Sequence, residues 1–237
     1  MDFNRLLNEW KAGFYTSPVL LILEATTLFY ILRHSKRDSL NKWFALYLLT
    51  DLIIVIITSF FLLFNFFTSS QKNLFFAISN TLIANIEIII YYIFFSKVLP
   101  FKKIIFKLNY FAYIYTIISI PTVIYFSFKP FPDFLFIVNI VGCVELAFLL
   151  PPCILFYINL LKTDSPLDLP SRPSFWITTG IFFYSIVSIP FCLIYSYFIE
   201  IKYEYKKFFS AALYYFPFIL NIFFILIAFK CKKALTT

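Results

Sequence analysis

Long apolar stretches alternate with short polar breaks along the whole chain. Each apolar stretch reaches about 20 residues, the length that an α-helix needs to cross the hydrocarbon core of a bilayer. The pattern predicts an all-α polytopic membrane protein with seven transmembrane helices joined by short connections. The predicted spans cover residues 14–33, 43–67, 74–96, 105–128, 134–161, 174–199 and 208–229.

Three segments divide the chain. Residues 14–230 are predicted to form one seven-helix bundle, because no stretch between the spans is long enough to bury a core of its own. Within residues 1–13, Phe3 and Trp10 lie on one helical face, which predicts an amphipathic segment at the membrane interface. No basic region there is followed at once by an apolar core, so no cleaved signal peptide is expected. Residues 231–237 are predicted to be a short basic cytoplasmic tail.

The composition agrees with a membrane-embedded chain and limits how its helices can pack. Hydrophobic residues make up 62% of the sequence and charged residues 14%, against about 45–50% and 25% in soluble domains. The chain has 3 Gly, 35 Phe and 17 Tyr. No two Gly have the four-residue spacing that brings membrane helices into close contact. We therefore expect the bundle to pack through bulky side chains.

The basic residues gather at the ends of the predicted spans, where they meet lipid headgroups. This placement accounts for the net charge of +8 without a nucleic-acid partner. Thirteen Lys and Arg fall on one side of the membrane and seven on the other, and the positive-inside rule assigns the richer side to the cytoplasm. The N-terminus is then outside and the C-terminus cytoplasmic. Lys202, Lys206 and Lys207 depart from the rule, and Glu200 and Glu204 partly offset them.

Four carboxyl groups fall inside the predicted spans, at Glu24, Asp51, Glu87 and Glu145. A charged side chain at the bilayer centre costs about 3 kcal/mol on insertion scales, so such residues usually face the bundle interior. No Lys or Arg is predicted at the same depth. Each acid must therefore be neutral, share a proton, accept hydrogen bonds or bind a cation.

The neighbours of two acids indicate an inward polar face. Asn80 and Tyr91 share a face of span three with Glu87, and Asn159 shares a face of span five with Glu145. In span seven, Asn221 is placed to line the same interior. We expect these side chains to converge on one polar pocket, with six candidate ligand- or proton-binding residues: Glu87, Glu145, Asn80, Tyr91, Asn159 and Asn221.

Two roles are open for these carboxyl groups. They can form a proton- or cation-responsive site or a polar ligand pocket, or they can join helices through hydrogen bonds as protonated acids. The two alternatives are evenly balanced for Glu87 and Glu145. For Glu24 and Asp51, as secondary intramembrane acids, the structural role is favoured.

Interior prolines distinguish spans four to seven from the first three. A Pro inside a helix removes a backbone hydrogen bond and usually kinks the helix, and kinked helices can leave a cavity between them. The alternative is that Pro is simply common in membrane helices. The residues concerned are Pro121, Pro151, Pro152, Pro190 and Pro217.

The predicted spans lack the residues that several kinds of catalytic and metal site require. His34 is the only His and lies in a basic connection, so the sequence predicts neither a His-bearing catalytic triad nor a His-rich zinc site in the membrane. The four Cys show no zinc spacing. No cofactor, metal or catalytic residue is expected, and the chain is predicted not to be an enzyme. An intramembrane hydrolase using Asp51 and Glu87 is the minor alternative.

One segment carries a family resemblance. "PSFWITTGIFFYSIVSIPF", at residues 173–191, together with "NKWFALYLLTDLIIVI" and "NIEIIIYYIFF" earlier in the chain, resembles small seven-transmembrane inner-membrane proteins of Bacteroidota. The likeness extends over most of the chain, and its distinctive part is Phe-Trp-Ile-x-x-Gly. The resemblance implies an inner-membrane location in such a bacterium. It carries no established activity, so it implies no functional residues.

The sequence favours a non-enzymatic role within the membrane. We expect a sensory or accessory subunit that binds a small or lipid ligand, or a membrane partner, through the polar pocket. A proton- or cation-coupled transporter and a structural membrane scaffold are the alternatives. The expected partners are the lipid bilayer and either another membrane protein or a second copy of this chain.

Overall fold

Four long helices follow one another in the part of the chain that the structure, a computed structural model, describes. It describes residues 69–129, 131–162 and 172–198, and in the first two predicted spans residues 22, 25–29, 45–46, 48–50, 52–53 and 56–57, which are also helical. The long helices are α1 (Ser69–Val98), α2 (Lys102–Ser127), α3 (Phe131–Lys162) and α4 (Pro173–Phe198). They match predicted spans three to six, with bounds that differ by at most five residues.

Each of these four helices contains a segment long and apolar enough to cross a membrane. The chain is therefore a membrane-embedded helical protein. Within α1 to α4, Glu87 and Glu145 are the charged residues that lie in helix interiors, and every other charged residue falls within six positions of a helix end. Predicted span seven, residues 1–13 and residues 231–237 lie outside the described residues.

The link between α1 and α2 is a tight turn over Leu99–Phe101. Pro100 disfavours continuation of the helix through the residue before it, and the Lys102 N–H donates to the Pro100 carbonyl at 2.9 Å. Lys162, at the end of α3, places its Nζ 5.9 Å from the centroid of the Phe101 ring. The end of α1, the start of α2 and the end of α3 therefore meet at one end of the structure. We call it the basic end, and its Lys residues are Lys97, Lys102, Lys103, Lys107 and Lys162.

Among α1 to α4, α3 is the central helix, because it packs against α1, α2 and α4, while α1 also packs against α2. The core is built from large side chains, as expected for a chain with few Gly. Tyr91, Tyr92 and Phe95 of α1 are at most 2% exposed, and Leu149 of α3 is fully buried. The described helical stretches of the first two predicted spans contribute Leu28, Ala45 and Leu48 to the same core.

The interior prolines lie inside continuous helices, with Pro121 in α2, Pro151 and Pro152 in α3, and Pro190 in α4. Pro152 has no N–H to donate to the carbonyl of Phe148, four residues earlier in α3. Tyr92 of α1 supplies the missing donor, because its hydroxyl donates to the Phe148 carbonyl at 2.7 Å. A side chain of one helix thus satisfies the backbone group that a proline leaves free in another.

Candidate functional site

Two buried carboxyl groups lie on helices that pack against each other, Glu87 on α1 and Glu145 on α3. Glu87 and Glu145 are each 8% exposed, the inward orientation that the sequence predicts. Their carboxyl groups lie within electrostatic range of each other. No Lys or Arg of α1 to α4 lies at this depth, since all of them are near helix ends. We call Glu87 and Glu145 the carboxyl pair.

α2 approaches the carboxyl pair through Tyr115. The Tyr115 hydroxyl donates to the Val141 carbonyl of α3 at 2.8 Å, and its ring packs against Phe148 with the ring centroids 5.4 Å apart. Tyr115 also lies within electrostatic range of Glu145. The hydroxyl is therefore held beside the pair by a backbone contact.

α4 approaches the pair through Cys192. Its thiol interacts with that of Cys143 of α3, and Cys192 lies within electrostatic range of Glu145. The Cys143 thiol also lies 3.8 Å from the Ile189 carbonyl. Glu145 thus has a titratable side chain of α2, Tyr115, and one of α4, Cys192, within electrostatic range.

A buried amide and hydroxyl join α1 to α2 close to the pair. The Asn85 side-chain nitrogen donates to the Ser119 hydroxyl oxygen at 3.2 Å, and that oxygen also lies 3.2 Å from Asn85 Oδ1. Both residues are 3% exposed. Asn85 is two positions from Glu87 in α1. The contact with Ser119 therefore restricts rotation of α1 about its axis, and this rotation determines whether Glu87 faces α3.

One face of α4 carries a line of buried hydroxyl groups. Thr178, Ser185 and Ser188 are 0%, 0% and 3% exposed, and their spacing of seven and three residues places them on one side of the helix. Cys192, which lies within electrostatic range of Glu145, continues the same face four residues beyond Ser188. In the described part of the chain, none of the three hydroxyl groups has a hydrogen-bond partner. We call these three residues the hydroxyl face.

Of the residues that the sequence proposes for the polar pocket, the structure keeps some near the carboxyl pair, places Asn159 away from it, and does not describe the side chains of the others. Tyr91 is buried one turn from Glu87 and stays with the carboxyl pair. Asn159 lies 14 positions beyond Glu145 on α3, about 21 Å along the helix at the usual rise, and so does not adjoin it. Asn80 belongs to α1, but its side chain is outside those described, as are Asn221, Glu24 and Asp51 altogether.

Sequence reasoning did not find Tyr115, Cys143, Cys192 or the hydroxyl face. The face carries a signal in the sequence, because Ser185, Ser188 and Cys192 repeat at helical spacing in an otherwise apolar span. Tyr115 carries none, since the chain contains 17 Tyr. Its place beside Glu145 depends on how α2 packs against α3.

The described residues of the site include no cluster of metal ligands. Among the described residues, no group of three or more His, Cys, Asp or Glu side chains could hold a metal ion. A Cβ built on Gly142, three residues before Glu145, would meet no heavy atom within 4 Å. The arrangement can bind a proton or a positively charged group between two acids. No family model, curated protein or solved structure matches the chain, so any assignment of function rests on this geometry.

Proposed function

We propose that this protein is a sensory or accessory membrane subunit whose carboxyl pair binds a positively charged species, a proton or a small cationic ligand. The observation that carries the proposal is the position of Glu87 and Glu145. They come from two helices, lie buried within electrostatic range of each other, and have no basic residue of α1 to α4 beside them.

Physical chemistry explains why such a pair would select positive charge. Two carboxylates in a low-dielectric interior repel each other and lose their hydration, so both are charged only when a cation lies between them. A bound proton removes one charge, and a bound cation offsets one. Either event changes the force between α1 and α3. A change in helix packing is a signal that a membrane partner can detect.

The proposal includes a place for the protein in the cell. We propose a seven-span arrangement in a bacterial inner membrane, with the N-terminus outside and a cytoplasmic C-terminus. The basic end supports this orientation, because Lys97, Lys102, Lys103, Lys107 and Lys162 would then face the cytoplasmic leaflet. The partner is another membrane protein or a second copy of this chain.

A proton- or cation-coupled transporter is the second candidate. It is favoured by the interior prolines of α2, α3 and α4, since kinked helices can open a path to a central site. A transporter would move the cation across the membrane, whereas a sensor would only bind it.

Infrared titration of the protein in lipid nanodiscs tests whether the carboxyl pair binds protons. The carboxylic-acid C=O band is compared between mildly acidic and mildly alkaline buffer for the wild type, Glu87→Gln, Glu145→Gln and the double variant. We expect a titrating band that changes in each single variant, and we expect the pair's contribution to be lost in the double variant while any contribution of Glu24 and Asp51 remains. Glu204→Gln, in the predicted connection between spans six and seven, is the matched control and should leave the band unchanged.

Three outcomes separate the candidate functions. A band that stays protonated at every accessible pH, with no response to sodium or tetramethylammonium ions, would leave the pair as a structural contact. If the pair titrates and proteoliposomes that contain the protein show no proton or sodium flux, the result supports the sensor. Flux that both Glu→Gln variants abolish supports the transporter.

Native mass spectrometry of the protein, extracted gently from its own membrane, addresses the partner. A stoichiometric second polypeptide would identify an accessory subunit and its complex. A lone chain that carries a defined small molecule would favour the receptor or the transporter. In that case, loss of the bound molecule in Glu87→Gln would locate it at the pair.

A further inference from the structure

We infer that the Tyr115 hydroxyl is the group through which α2 responds to a proton on Glu145. It donates to the Val141 carbonyl while Glu145 is protonated, and it donates to the Glu145 carboxylate after the proton leaves. The inference rests on the proposed function and deepens it, because it names the proton as the bound species and Tyr115 as the residue that detects it. The structure shows the first arrangement, with the hydrogen bond to Val141 at 2.8 Å.

Two contacts place Tyr115 along one face of α3. Its hydroxyl bonds to Val141, and its ring packs against Phe148 with the ring centroids 5.4 Å apart. These two residues are about 10.5 Å apart along the helix, and Glu145 lies between them on the same face. A helical side chain leans toward the preceding turn, which for Glu145 carries the Val141 carbonyl. The Glu145 carboxyl group and the Tyr115 hydroxyl therefore belong to the same turn of α3, in agreement with their electrostatic interaction.

Tyr115 supplies a permanent donor among the titratable groups near Glu145. In the described part of the chain these groups are Glu87 on α1, Tyr115 on α2 and Cys192 on α4, and Cys143 of α3 lies within range of Tyr115. Thiols are weak donors, and Glu87 gains and loses protons together with Glu145. A phenol keeps its O–H up to about pH 10. No Lys or Arg of α1 to α4 lies at this depth, so an ionised Glu145 takes its hydrogen bond from Tyr115.

The exchange of acceptors needs no added ligand and leaves no group without a partner. A carbonyl oxygen accepts two hydrogen bonds, and the Val141 carbonyl also accepts the backbone N–H of Glu145, four residues later in α3. Val141 thus keeps one bond when Tyr115 turns away. While Glu145 is protonated, its O–H can donate to the phenol oxygen, which in turn donates to Val141. Ionisation releases the carboxyl proton to the aqueous phase and reverses the first of these bonds, and the phenol keeps its own proton throughout.

The exchange changes how α2 is attached to its neighbours. Ser119, one turn beyond Tyr115, bonds to Asn85 of α1, and this contact does not involve the carboxyl pair. The bond from Tyr115 to Val141 is a second attachment, to α3. Ionisation of Glu145 replaces the second attachment and leaves the first, so α2 should move against α3 about the Ser119 contact. Because the first turn of α2 belongs to the basic end, this movement reaches a surface that a membrane partner can contact.

Infrared difference spectra of the protein in lipid nanodiscs test the inference on the unmodified chain. Tyrosine is labelled with ¹³C at the ring carbon that bears the hydroxyl, and spectra in mildly acidic and mildly alkaline buffer are subtracted. We expect a tyrosine C–O band that shifts with the same midpoint as the carboxylic-acid band. Glu145→Gln and Tyr115→Phe should each abolish this shift. Tyr157→Phe is the matched control, because its hydroxyl also bridges two helices, at 2.9 Å from Thr179 Oγ1, but lies about 18 Å along α3 from Glu145.

The proton affinity of the carboxyl pair gives a second readout. Tyr115→Phe removes a hydrogen bond to a charged group in the ionised state and one to a neutral group in the protonated state. The first bond is roughly twice as strong, so the variant should bind the proton about tenfold more tightly, and Tyr157→Phe should bind it as the wild type does. A pair that titrates without a tyrosine shift, or with equal affinity in Tyr115→Phe and the wild type, would overturn the role of Tyr115 and leave the proposed function standing. A pair that does not titrate would overturn both.

Discussion

The Tyr92 hydroxyl donates a hydrogen bond of 2.7 Å to the Phe148 carbonyl, the acceptor that Pro152 leaves without its usual donor in α3. Tyr92 is 2% exposed, so water cannot replace the bond. The contact joins α1 to α3 one turn from Glu87. It therefore stabilises the helix pairing that brings the two carboxyl groups together.

Tyr92→Phe should lower the free energy of unfolding by about 1 kcal/mol, because a buried carbonyl loses its partner. The Pro152→Ala change restores a backbone N–H that can donate to Phe148. In the Pro152→Ala background, Tyr92→Phe should therefore cost much less. Thermal unfolding in detergent or nanodiscs gives the double-mutant cycle. Tyr110→Phe, at a 63% exposed position of α2, is the control. Equal costs of Tyr92→Phe in both backgrounds would contradict the relationship.

Reversing the charge of one acid tests whether the carboxyl pair is in contact range. Glu87→Lys places a cation beside Glu145, and the two opposite charges should allow the protein to fold. The double variant Glu87→Lys/Glu145→Gln leaves the Lys without a counter-charge. It should be less stable by about 3 kcal/mol, as for other buried charges that lose a partner. Expression level and unfolding temperature measure the difference. Two variants of equal stability would show that the side chains do not interact.

Gly142→Ala should stabilise α3 by about 0.5–1 kcal/mol, because Ala loses less backbone entropy than Gly in a helix. The added Cβ meets nothing within 4 Å, so no steric cost offsets the gain. Ala147→Gly, at an exposed position of the same helix, should cause a loss of similar size. Unfolding temperatures of the two variants provide the comparison. A less stable Gly142→Ala would mean that another group occupies the space.

The contact between Cys143 and Cys192 predicts a specific cross-link. A mild thiol oxidant should join these two residues, since their thiols interact between α3 and α4. Cys153, on α3 and fully buried, should remain unmodified because it lies about 15 Å along the helix from Cys143. Mass spectrometry after proteolysis and alkylation identifies the bond, and Cys192→Ser serves as the control. A cross-link to Cys153 instead would require a different register of the two helices.

The site shows how far reasoning from sequence can reach. An acid in an apolar span must turn away from lipid whatever its neighbours are, so the burial of Glu87 and Glu145 was predictable one residue at a time. Their proximity was not, because it depends on the relative rotation of two helices that are separated along the chain. The same limit applies to Tyr115. Asn159 shows a further limit, since residues on one face of a long helix can still be far apart along it.

By itself, the sequence determined that this chain is helical and membrane-embedded, where four of its helices begin and end to within five residues, and that two of their carboxyl groups face inward. These properties are local. Helix hydrogen bonds form within one segment, and each apolar segment is stable in lipid whatever the other segments do. Only the tertiary structure decided which polar groups come near one another: Glu87 and Glu145 within electrostatic range, and Asn85 with Ser119 and Tyr92 with the Phe148 carbonyl through hydrogen bonds. Those pairings depend on the packing of bulky side chains between helices, which sets their rotation and register and which no single span encodes.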